Sequence, residues 1–67
     1  MNLVINGQQR TVSASVATAA DLLDELAIKR ERVAVVINEN VARRAELADT
    51  ALNEGDVIEI ITMVGGG

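Results

Sequence analysis

Apolar and polar positions alternate at the start of the chain, so Met1, Leu3 and Ile5 share one face of a strand. Asn6-Gly7 follows, and a two-residue type I′ turn requires positive φ at both central positions, which this pair tolerates best. A return strand from Gln8 to Ser13 sets Ile5 opposite Gln8, Leu3 opposite Arg10 and Met1 opposite Val12. The period then changes. Ala19, Leu22, Leu23, Leu26 and Ala27 recur at helical spacing, with Thr18 as N-cap and Asp21 near the positive helix end. Lys29 and Arg30 suit the negative end of that helix, whose stop carries no glycine.

The β-branched run Val33–Ile37 predicts a largely buried strand with Val35 and Ile37 inward. Asn38-Glu39-Asn40 predicts a turn, Val41-Ala42-Arg43 a short edge strand, and Ala45 to Asp49 a helical turn that buries Leu47. Asn53-Glu54-Gly55-Asp56 predicts a tight turn over Leu52. A last strand runs from Val57 to Met63 or Val64, with Ile58 and Ile60 on one face and Val57, Glu59, Ile61 and Met63 on the other. Hairpin, helix and three further strands imply an α+β fold, a mixed sheet of four to five strands with one main helix across it. The 67 residues contain no repeat and no linker, so a single domain is expected, with residues 64–67 as a flexible tail.

Composition narrows the chemistry. Cysteine, histidine, proline and aromatic residues are all absent, so the core is aliphatic and no disulfide staples it. With neither Cys nor His, the serines and threonines lack an activating base, and the chain is not expected to be an enzyme. Asp21, Asp24 and Glu25, like Glu54 and Asp56, lack the register of a calcium loop and read as solvated helix face and turn; no metal is expected. Formal net charge is −4, and no basic stripe with aromatic platforms offers itself to nucleic acid. The basic groups Lys29-Arg30-Arg32 and Arg43-Arg44 read as solvated surface, and an acidic chain suits basic partner grooves. No apolar stretch approaches the roughly 20 residues that span a bilayer. The expectation is a cytoplasmic protein, away from membranes and monomeric when free.

The ending is the most unusual feature. Gly65-Gly66-Gly67 follows the apolar strand directly, a run that average glycine usage produces about three times in ten thousand. A chain without Cβ atoms enters a channel too narrow for any other sequence, and three extended residues reach roughly 10 Å. The carboxylate of Gly67 is therefore the leading candidate for a reactive group, with Val64, Gly65 and Gly66 as the thin stretch that carries it in. Ile61 and Met63 either dock partners beside this tail, with Glu59 on the same wet face, or lie beneath neighbouring elements.

Together, the helix after a hairpin, the Leu52-x-x-Gly55-Asp56 turn and the strand running into glycines resemble the sulfur carrier proteins of thiamine biosynthesis, a ubiquitin-like β-grasp family. Ile37-Asn38 before a turn, Val41 with Arg44, and Val64-Gly65-Gly66-Gly67 add to the likeness, which covers the whole chain. The resemblance implies parallel central first and last strands. It also implies an E1-like adenylyltransferase that uses ATP and magnesium to adenylate Gly67, with no cofactor bound by the carrier itself. A sulfur donor, such as a cysteine desulfurase or a persulfide protein, then supplies the sulfur of a C-terminal thiocarboxylate, and a thiazole synthase takes it. The Gly-Gly ending is shared with the molybdopterin synthase small subunit and with ubiquitin-like protein modifiers, so both stand as alternatives. A non-catalytic β-grasp regulatory or binding module is the alternative from another class.

Overall fold

The structure is a computed structural model that describes residues 1–62. The expectations for Met63, Val64, Gly65, Gly66 and Gly67 lie outside the described residues. Strands β1 (Asn2–Ile5) and β2 (Gln8–Thr11) form the predicted hairpin, with Asn6 and Gly7 at φ 51° and 81°. Its register pairs Ile5 with Gln8 and Leu3 with Arg10. The return strand stops two residues earlier than expected, although Val12 still donates its N–H to the Met1 carbonyl at 2.9 Å and is buried.

Helix α1 (Ala19–Glu25) begins at a reciprocal cap: Thr18 Oγ1 accepts from the Asp21 N–H, and the Asp21 carboxylate accepts from the Thr18 N–H. The helix ends well short of Lys29 and Arg30, correcting the expectation that they close it. Ala27 stops it by adopting φ 59°, with the Ala27 N–H bonded to the Asp24 carbonyl and the Ile28 N–H to the Leu23 carbonyl. This paired closure normally uses glycine. Ala27 is accordingly exposed rather than part of the apolar face, whereas Ala20 is buried.

A short 3₁₀ turn, Arg30–Arg32, leads into β3 (Val33–Ile37), whose Val33, Val35 and Ile37 point inward. Asn38 and Glu39, at φ 48° and 72°, turn the chain into β4 (Asn40–Ala42), one residue ahead of its expected start. A second 3₁₀ segment, Arg44–Asp49, buries Leu47 as expected, and the turn at Gly55 delivers β5 (Val57–Thr62). Among the described residues the sheet order is β2-β1-β5-β3-β4, with β5 parallel to β1 and antiparallel to β3. This five-stranded mixed sheet with one helix across it is the arrangement that the resemblance implies.

The core fills the space between helix and sheet. Leu22 and Leu23 of α1 meet Leu3, Ile5, Val35 and Ile58 of the sheet, and Leu47 and Leu52 close the side. Each such side chain contributes about 1.5–3 kcal/mol by leaving water. No helix among the described residues is long and apolar enough to cross a membrane.

Two carboxylates tie loops to this frame. Asp21 accepts the N–H groups of Ala17 at 3.0 Å and Thr18 at 3.1 Å, and Glu54 accepts the Asn2 N–H at 2.9 Å. These backbone bonds, from Ala17 first for Asp21 and from Asn2 for Glu54, hold both carboxyls below their ordinary range. A lowered folded-state pKa means that the unfolded chain binds protons more readily. The stabilisation is therefore complete above the unfolded range of about 3.9–4.3 and lost as pH falls through the folded values. Melting temperature should drop between about pH 5 and 3, and a D21N/E54Q variant should show a flatter pH profile by calorimetry. Ala27→Gly should raise stability in urea by about 0.5–1 kcal/mol, because a left-handed alanine costs ~1–2 and the looser glycine chain offsets part of that.

Candidate functional site

Strand β5 alternates strictly. Ile58 is fully buried and Ile60 nearly so, while Val57 and Ile61 are each 50% exposed and Glu59 is exposed between them. Ile61 is therefore left half open by the described elements around it. The register extends this exposed face sideways: Glu59 pairs with Val36, Val36 with Val41, Ile61 with Ala34, and Val4 with Val57. Val41 is 71% exposed. The side of the sheet away from α1 thus presents an aliphatic surface, with the Glu59 carboxylate near its middle. A shallow depression within it is lined by Val4, Gly7, Val57, Glu59 and Ile61.

Two asparagines hold β5 in place. Beyond the Asn6 N–H, which reaches the Ile58 carbonyl at 2.9 Å, the chain of β1 turns away, yet β5 continues. The Asn6 side chain fills the gap: its Oδ1 accepts the Ile60 N–H at 2.8 Å and its Nδ2 donates to the Ile60 carbonyl at 3.4 Å. At the other end, Asn38 Oδ1 accepts the Val57 N–H at 2.9 Å, Nδ2 donates to Asp56 at 3.0 Å, and the Asn38 N–H reaches the Val57 carbonyl at 2.8 Å. Asp56 in turn accepts the Asn53 N–H at 2.8 Å, closing the turn that launches the strand. Both asparagines sit at positive φ, so one residue type turns a hairpin and supplies an amide that bonds like backbone.

Among the described residues no three His, Cys, Asp or Glu side chains converge on a metal position. Of the positions singled out in the sequence, the structure brings Val57, Glu59 and Ile61 together on the open face and adds Val36, Val41 and Val4 to them. Alternation alone marked Val57. Val41 was not legible, because its face depends on the length of the Asn38-Glu39 turn. The bridging roles of Asn6 and Asn38 need the neighbouring strand to be known.

The ThiS family model matches residues 3–67. The chain belongs to the ThiS family. The sulfur carrier protein ThiS of Thermus thermophilus is 32% identical over 63 residues, which cover 94% of this chain and 95% of that one. A crystal structure of the thiamine biosynthesis protein ThiS from Geobacter metallireducens superposes with a TM-score of 0.85 at 33% identity, covering both chains fully. A thiazole synthase from Paramagnetospirillum magneticum is 43% identical over 67 residues, all of this chain but only 20% of that protein. The ubiquitin-like β-grasp fold of the ThiS family is the fold seen here.

The two faces of β5 should separate cleanly in mutagenesis. Ile61→Asp should cost no more than about 1 kcal/mol in urea unfolding, whereas Ile58→Ala should cost about 2–5 kcal/mol. Equal losses would place Ile61 in the core.

Proposed function

We propose that this chain is a sulfur carrier of thiamine biosynthesis that works as a protein co-substrate, with the carboxylate of Gly67 as its reactive group. One observation carries the reading: the family match runs through residue 67 and takes in nearly the full length of a sulfur carrier protein. Thiazole synthase as the sulfur acceptor is supported by a protein of that name which contains a stretch similar to this whole chain.

The chemistry follows from the properties of a carboxylate. An α-carboxyl with pKa about 3.3–3.7 is anionic at neutral pH and resists nucleophiles. Its oxygen attacks the α-phosphorus of ATP on an adenylyltransferase, and pyrophosphate leaves. The partner supplies magnesium and the cations that balance phosphate charge. A persulfide from the sulfur donor then attacks the acyl carbon, and AMP departs with the former carboxylate oxygen. A thiol cuts the resulting S–S bond, leaving a thiocarboxylate on Gly67 and a disulfide on the donor side. The ionised, polarizable sulfur is the nucleophile that the thiazole synthase receives.

The carrier contributes position. Val64, Gly65 and Gly66 form the slim part of a reactive tail, and Ile61, Met63 and Glu59 belong to the surface that docks partners. Holding the carboxylate in the partner site raises its effective concentration, which is where binding energy lowers the barrier.

Intact mass after incubation with ATP, magnesium, the adenylyltransferase and a persulfide donor tests this directly. One oxygen exchanged for sulfur, mapped to Gly67, is expected. In the same assay Gly66→Ala should react at least about tenfold more slowly, since a misplaced reacting group costs up to 10²-fold, with an unchanged melting curve. An unmodified parent chain overturns the reading.

A further inference from the structure

In the sequence the basic groups Lys29-Arg30-Arg32 and Arg43-Arg44 lie a dozen residues apart, but the sheet brings them to one end of the molecule. Val33 pairs with Thr62, so Arg32 directly precedes the residue opposite the last described position of β5. Strand β4 runs antiparallel to β3, with Ala42 opposite Val35, and Arg43 continues extended at φ −72° and ψ 149°. Arg43 and Arg44 therefore sit level with the start of β3, two strand spacings or roughly 10 Å from β5. Arg10 borders a groove that Thr62 and Ile28 also line. Glu31 lies among these cations, and Glu46 follows Arg44 by two residues, its N–H bonded to the Arg43 carbonyl at 2.8 Å. Glu25 borders the Arg10 groove, where its carboxylate accepts the Ser13 N–H at 2.8 Å.

Carboxylates gather at the opposite end. Glu39 occupies the β3–β4 turn, Glu54 and Asp56 the turn before β5, and Asp21 the start of α1. A rise of about 3.3 Å per residue separates Asp56 from Thr62 by roughly 20 Å. That exceeds twice the ~8 Å Debye length at physiological salt, so a partner near one end scarcely feels the other. A chain of net charge −4 thus has a positive end, and Thr62, the last described residue of β5, lies there.

We infer that this end docks on an acidic protein surface, the rim of the partner site that receives the tail, contrary to what net charge alone indicates. The identity of that partner rests on the carrier reading; the sign of its rim does not. A protein rim fits better than nucleic acid. The chain has no aromatic side chain for base stacking, Glu31 interrupts the patch, and exposed Ile61 continues it with apolar surface. The charge separation also orients the approach, turning the tail end toward an acidic target before contact.

The test is stopped-flow association of the full chain with the adenylyltransferase of the same organism across a salt series. Parent association should slow as salt rises. R43E/R44E should associate about tenfold more slowly at low salt, with R43Q/R44Q intermediate, and E39K in the β3–β4 turn at the far end should stay within about twofold of the parent. Both arginines are exposed, and an acid at the first turn of the Arg44–Asp49 segment favours its positive end; circular dichroism checks the fold of each variant. Faster or unchanged association of R43E/R44E overturns the inference, as does a larger effect from E39K. Tighter retention on a mixed-sequence single-stranded oligonucleotide than on the enzyme also overturns it. Intact mass of the same mixtures separates the two claims: charge-dependent association without sulfur gain sinks the carrier reading alone, and sulfur gain without charge dependence sinks this inference alone.

Discussion

A central strand must have its backbone groups satisfied on both sides, and β5 outruns the parallel partner that should serve one of them. Strand β1 pairs with it only through Val4 and Ile5 before turning away. An unpaired N–H left in the partly buried seam would cost about 1–3 kcal/mol. The Asn6 amide takes over, accepting from the Ile60 N–H and donating to its carbonyl. Asn38 performs the matching service at Val57. The strand that leads toward Gly67 is thereby anchored by side chains from both hairpin turns. Gly and Asp also suit the first position of such a turn, yet neither carries both an amide donor and an acceptor.

Once β5 is fixed, its period of two divides labour between its faces. Ile58 and Ile60 close the aliphatic core under α1, while Val57, Glu59 and Ile61 remain in contact with water. A core without aromatic residues relies on many small contacts, so the buried face tolerates little change. The open face is free of that duty, and the neighbouring strands enlarge it with Val4, Val36 and Val41. Stability and recognition thus share a strand without sharing side chains.

Charge follows a coarser division, along the strands rather than across the sheet. Cations from the segments before β3 and after β4 converge at the Thr62 end of β5, and carboxylates gather at the turns of the other end. Net charge describes neither end. Screening makes each end a separate electrostatic object at the distances over which proteins meet.

Local signals in the chain were enough for the hairpin at Asn6-Gly7, the cap at Thr18, the burial of Leu47 and Leu52, and the two faces of β5. Each depends on neighbours a few residues away: turn chemistry, first-turn hydrogen bonding or strand alternation. Helix length was not legible, because Leu26, Ala27 and Ile28 continue an apolar pattern, and the stop falls on an alanine in the left-handed region while Ile28 packs against the core. The exposed aliphatic face, the asparagine bridges and the meeting of the two basic groups also required the fold. Each joins residues far apart in sequence, and register across strands, not spacing along the chain, decides which side chains become neighbours.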